Sequence, residues 1–99
     1  MIFAIHALYL PNVTEQRAAL LPSHRDYLAT VAERIAFAGP LLGAQGEPVG
    51  SLMVVDFDDE AHVRAWLAAE PFTHGGLFKQ LDVQVFQNRW PQKVGFPEA

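Results

Sequence analysis

Cysteine is absent from this 99-residue chain, which excludes a disulfide framework, a thiolate nucleophile and any Cys-ligated metal. Positive charge is scarce: 7 Lys and Arg stand against 11 Asp and Glu, for a net charge of −4. That balance argues against a nucleic-acid surface, which needs clustered cations. There is no run of like charges and no low-complexity tract. The apolar start, Met1 to Ala7, lacks a basic region and soon meets Pro11-Asn12. It is too short to span a bilayer and reads as a strand instead of a signal peptide, so no membrane partner and a cytoplasmic location are expected. The 4 histidines show no His-Glu-x-x-His spacing, and Gly75-Gly76 lacks the preceding strand and following lysine of a phosphate loop. No metal and no other cofactor are therefore expected.

What is present suits a small globular protein. About half the residues are apolar (51%), and the length predicts one domain over 1–99 with a turn-rich tail from about residue 90. Residues 2–9 are apolar apart from His6, as in a strand covered on both faces, and His6 itself is expected to face packing or a dimer seam. Asn12 followed by Glu15 resembles a capping box, placing a helix start near Val13. Pro22 marks a kink or the first turn of a new helix. From there His24, Leu28, Val31 and Ile35 recur at spacings of four, three and four, an inward stripe with His24 near a helix N-terminus; Arg25, Asp26, Glu33 and Arg34 point mostly away.

Ile35–Leu42 reads as a strand bent at Gly39-Pro40. A turn over 43–48 leads to a second strand with Ser51, Met53, Val55 and Phe57 on one face. Asp58-Asp59 caps a second helix, and Pro71 ends it. A last strand is predicted from about Lys79 to Arg89. The order is β-α-β-β-α-β, the ferredoxin-like α+β arrangement: a four-stranded antiparallel sheet with two helices on one face. The other face also carries apolar side chains, and a second copy of the sheet is the simplest cover, giving a two-fold homodimer.

The chemistry gathers around residues 69–78, Ala-Glu-Pro-Phe-Thr-His-Gly-Gly-Leu-Phe. Val63, Trp66 and Leu67 fall at helical spacing and Glu70 continues their stripe, at what reads as the helix C-terminus. A buried carboxylate needs a partner, and His24 on the other inward stripe is the one to expect. Negative charge at a helix C-terminus makes a cationic partner still more welcome. His62 reads as a surface position, and His74, close in sequence to Glu70, as a loop residue that either lines the mouth of the pocket or is only exposed.

These residues resemble the YciI-like (YCII-related) family of small dimeric α+β barrel proteins. The likeness is carried by Arg17 seven residues before His24, Ala38-Gly39-Pro40, Gly50-Ser51, Trp66, and Glu70-Pro71-Phe72 leading to Gly76-Leu77-Phe78. The resemblance implies a sheet-to-sheet dimer and an active site built on a His–Asp pair. His24 matches the histidine, a glutamate stands at position 70 where the family usually has aspartate, and Leu21 stands where many members carry an arginine. Some members are linked to removal of halide from chlorinated aromatics.

The expectation is thus a cofactor-independent enzyme acting by acid–base chemistry on a small aromatic or anionic molecule. His24 would transfer the proton and Glu70 orient the ring, with Arg17, Ser51, Phe72, Gly39 and Pro40 contacting substrate. Ser51 lacks a Gly-x-Ser-x-Gly elbow, which favours a contact over a nucleophile. Elimination, isomerisation and hydrolysis all suit one proton shuttle. The alternative is a small-molecule-binding or dimerisation module without turnover.

Overall fold

Strand β1 (Ile2–Tyr9) alternates strictly in the computed structural model, which describes residues 1–91: Phe3, Ile5, Ala7 and Tyr9 are buried and the residues between them are half-buried. The strand lies inside the sheet, antiparallel to β3 (Pro48–Asp56) on one side and β4 (Phe78–Val85) on the other. Strand β2 (Ile35–Leu42) flanks β3, so the order across the sheet is β2-β3-β1-β4. With α1 (Thr14–Ala29) and α2 (Glu60–Ala69), this is the ferredoxin-like α+β fold.

Register decides what faces the helices. Ile5 lies opposite Met53 and Val83, and Ala7 opposite Ser51 and Leu81. Phe3, Ile5, Met53 and Val55 pack with Val63, Trp66 and Leu67 of α2 and with Tyr27 and Leu28 of α1 as the main core. Tyr9, Phe72 and Leu77 form a second cluster, completed by Val13, Leu20, Leu21 and Phe78. Gly50 is obligatory in this sheet, since a Cβ there would sit 2.1 Å from the Ala7 carbonyl oxygen. The opposite face carries Ala4, His6, Leu8 and Leu52, with Phe37 of the edge strand 52% exposed. No helix among the described residues is long and apolar enough to cross a membrane.

Several boundaries differ from the sequence expectation. Asn12 does not cap α1: it adopts φ 62°, the left-handed region that asparagine tolerates in tight turns, and Val13 takes the N-cap position without a side-chain bond. The helix continues through Pro22, because Pro22 and Ala18 are both exposed and water can replace the missing N–H donor. His24 therefore lies in the interior of α1, away from any helix start. The inward stripe is Arg17, Leu20, Leu21, His24, Tyr27 and Leu28; Val31 and Ile35 lie beyond the helix, in a short 3-10 connection and in β2.

Strand β4 starts one residue earlier than expected and stops at Val85 instead of Arg89. Phe86 N–H donates to the Ile2 carbonyl at 2.9 Å, and Ile2 is the first residue of β1, so no partner strand remains. The tail expected from about residue 90 falls, beyond Pro91, outside the described residues.

Candidate active site

The segment after α2 is where local structure and sequence expectation part most usefully. Pro71 ends α2 and also opens a further short helix, α3 (Pro71–His74), in the first-turn position that proline favours. Glu70 is the C-cap of α2 and the N-cap of α3. Its side-chain oxygens accept from Phe72 N–H (3.1 Å), Thr73 N–H (3.1 Å) and the Thr73 hydroxyl (3.2 Å). The carboxylate thus faces the positive end of α3, which reverses the C-terminal electrostatics expected from the sequence. Gly76 then turns the chain into β4 with φ 75°.

Glu70 is 1% exposed, and its remaining partner is His24, whose Nδ1 is hydrogen-bonded to Glu70 Oε1. Burial alone would push this carboxyl up. The His24 hydrogen bond, the Phe72 and Thr73 N–H groups and attraction to the imidazole outweigh it and hold the acid below the ordinary carboxylate value. The Glu70 charge is felt further off: burial first, then that charge, raise the Tyr27 phenol, which donates to the Trp66 carbonyl at 2.8 Å.

An ionised carboxylate only accepts, so Nδ1 carries the hydrogen and the lone pair of a neutral ring lies on Nε2. The ring is further fixed by Phe72, which stacks on it at 3.9 Å between centroids and 3° between planes. His24 lines a cleft of about 360 Å³ together with Arg17, Ser51, Phe72, Gly39 and Pro40. The structure thus places those six residues around one space, with Glu70 behind His24. Ser51 is 9% exposed and sits opposite Ala7 and Pro40 in the sheet.

Arg17 projects from α1 two helical turns before His24. Its Nε donates to the Tyr9 hydroxyl at 3.0 Å, and its guanidinium carbon lies 5.6 Å from the ring centres of both Tyr9 and Phe72. His74 and His62 are exposed and line no part of the cleft; His62 pairs with Asp59, the N-cap of α2.

Tyr9, Leu21, Arg25, Leu28, Ala38 and Met53 also line the cleft and were not foreseen there. Tyr9 could have been found, since β1 alternation turns it inward and a buried hydroxyl calls for a partner. Arg25 was expected to point away; its long side chain reaches the rim from an exposed position, which helical spacing does not register. A larger hollow of about 550 Å³ shares Tyr9 and Arg17 with this cleft and is otherwise lined by Leu8, Leu10, Val13, Val49 and Lys79 among others. It contains neither His24 nor Ser51, so its greater size does not make it the seat of proton chemistry.

Comparison with known proteins places this geometry in a context. The profile of the YCII-related domain matches residues 1–87. Among solved structures, the 5-chloro-2-hydroxyhydroquinone dehydrochlorinase of Burkholderia phenoliruptrix, in complex with 2,5-dihydroxybenzoquinone, is similar with TM-score 0.85 and 26% identity. The match covers 90% of this chain and 96% of that one. A protein of Arabidopsis thaliana matches with TM-score 0.48 and 12% identity over 96% of this chain and 98% of its own. An uncharacterized NIPSNAP domain protein of Burkholderia xenovorans matches with TM-score 0.45 and 15% identity, over 93% and 100% respectively. No curated protein matches the sequence significantly.

Proposed function

This chain belongs to the YCII-related family, and from that premise we propose that it is a small acid–base enzyme, acting without a cofactor on a hydroxylated aromatic molecule. The observation that carries the reading is the His24–Glu70 contact at the wall of the cleft. Glu70 holds the ring by Nδ1 and stabilises the imidazolium formed when Nε2 takes a proton. Arg17 and Arg25 border the same space and no carboxylate among the described residues lines it, so the cleft favours a substrate that is, or becomes, anionic. About 150 Å³ suffices for benzene in an apolar cavity, and about 360 Å³ here leaves room for ring substituents.

Elimination is the favoured reaction, supported by the dehydrochlorinase likeness. His24 takes the proton, its electron pair forms the new double bond, and the leaving group departs as an anion with the electrons of the bond that breaks. Ser51, Gly39, Pro40 and Phe72 shape the substrate side of the cleft. The test is incubation with chlorinated polyhydroxybenzenes, following chloride release and ring absorbance, with calorimetric binding in parallel. Catalytic chloride release is the expected result. Saturable binding with no release would leave a binding module in its place.

A second copy is the proposed cover for the open sheet face, where Ala4, His6, Leu8, Leu52 and Phe37 are presented together. Sedimentation velocity at micromolar concentration should return a dimer, and Phe37→Glu should dissociate it. A wild-type monomer at that concentration would remove this part of the reading.

A further inference from the structure

The end of α2 leaves a backbone acceptor for another element to take. In an unbroken helix the Glu70 N–H would go to the Trp66 carbonyl, and residue 71 would give its own N–H to Leu67. Residue 71 is proline and has none, and the Glu70 N–H turns to the Leu67 carbonyl at 3.0 Å. The Trp66 carbonyl, thereby freed, accepts the Tyr27 hydroxyl from α1 at 2.8 Å. The Tyr27 ring stacks on Trp66, 5.6 Å between centroids and 24° between planes, so the hydroxyl is aimed by packing on the same residue whose carbonyl it holds. Burial and the Glu70 charge both raise this phenol, which therefore keeps its proton and remains a donor at neutral pH.

Tyr27 lies three residues after His24, one turn along the inward stripe of α1. Trp66 lies four residues before Glu70, one turn back along α2. Helix α1 thus grips the end of α2 at two neighbouring points, His24 on the Glu70 carboxylate and Tyr27 on the Trp66 backbone.

We propose that the Tyr27–Trp66 bond is a positioning contact for the His24–Glu70 pair: it pins the last turn of α2 to α1 and so sets the Glu70 carboxylate against Nδ1 of His24. The inference deepens the acid–base reading above and rests on it. Glu70 leaves the helix with ψ 131°, so the place where α2 stops decides where its side chain lands. The Phe72 and Thr73 N–H groups hold the carboxylate to α3, but they belong to its own segment and move with it. Tyr27 ties the root of that segment to the helix that carries the histidine. Proton transfer needs its groups placed to a fraction of an ångström, and such placement comes from contacts outside the reacting pair. Tyr27 lines no part of the cleft, so it acts through Glu70 and not on the substrate.

Tyr27→Phe keeps the ring on Trp66 and removes only the hydroxyl. The readout is the tautomer of the neutral His24 ring, taken from the nitrogen chemical shifts of its two ring atoms in isotope-labelled protein without any ligand. Wild type is expected to hold its hydrogen on Nδ1. The variant should raise the population with hydrogen on Nε2 by about tenfold, the scale of losing one hydrogen bond. Phe57→Leu loosens the packing of Phe57 on Trp66, at 5.4 Å, without touching the hydroxyl, and should leave the tautomer as it is. In turnover, Tyr27→Phe should lower kcat by about tenfold and leave KM within about threefold.

A wild-type tautomer in Tyr27→Phe overturns the proposal. So does an equal change in Phe57→Leu, which would assign the effect to the packing of Trp66 in general. A raised KM with kcat unchanged would make Tyr27 a binding residue and overturn it as well. Failure here differs visibly from failure of the enzyme reading: a tautomer that depends on the Tyr27 hydroxyl, in a protein that turns over no chlorinated phenol, would retain the positioning contact and remove the reaction.

Discussion

Replacing His24 by glutamine is expected to slow turnover by about 10²–10⁴-fold, the usual range for loss of a positioned acid–base group. Substrate affinity should stay within about threefold, because the other groups that line the cleft, Arg17 and the apolar walls among them, are left in place. Glutamine is the informative choice. Its amide N–H₂ can donate to Glu70 Oε1 as Nδ1 does now, so the buried carboxylate keeps a donor and the structure is not asked to hold an unpaired charge. The flat amide can also lie against Phe72, where the imidazole stacks at 3.9 Å. What it cannot do is take a proton at neutral pH. Alanine at the same place would mix loss of the base with loss of the Glu70 partner. Measured separately, kcat should fall and Kd should not. A kcat within threefold of wild type, in a protein that melts normally, would take the proton away from His24.

The sheet was legible because its signals are local. The near-continuous apolar runs of residues 2–9 and 51–57, bounded by turn residues, specify strands. The stripe of Val63, Trp66 and Leu67 identifies the buried face of α2 and leads the eye to Glu70. The role of Glu70 was harder to read. Helical spacing carries a pattern past the end of a helix as readily as within it, so Glu70 read as the last residue of one helix when it also begins another. Proline after an acidic residue is compatible with both readings, since proline stops one helix and favours the first turn of the next.

Pro22 misled in the opposite direction. Its cost within a helix depends on whether water can reach the orphaned carbonyl, and exposure is a tertiary property. The cleft shows the same division. His24 and Glu70 could be selected by residue type and spacing, and Arg17 and Ser51 by the family resemblance, whereas Tyr9 and Arg25 reach it through side-chain length and the crossing of α1 over the sheet.

Glu70→Ala is expected to cost about 3–5 kcal/mol of folding stability, the scale of breaking a buried, hydrogen-bonded charge. The substitution strips an acceptor from Phe72 N–H, Thr73 N–H, the Thr73 hydroxyl and His24 Nδ1 at once. Loss of the N-cap alone accounts for about 1–2 kcal/mol, and leaving buried donors unpaired adds about 1–3 kcal/mol for each that cannot find water. Aspartate is the residue expected at this position from the family resemblance, and one methylene shorter it is as good an N-cap or better. Glu70→Asp should therefore lose less than about 1.5 kcal/mol and keep the His24 partner, its turnover falling by less than the roughly tenfold that removal of an orienting group brings.

Acid dependence follows from the same contacts. Because the folded carboxyl lies below its ordinary value, its contribution is fully present above the unfolded value of about 4.3 and is lost as pH falls through the folded one. Urea midpoints compared between pH 3 and pH 7 should show that loss in wild type and a shallower one in Glu70→Gln. Parallel acid profiles for the two proteins would mean that the charge at position 70 contributes nothing beyond its shape, and the His24 contact would then be packing alone.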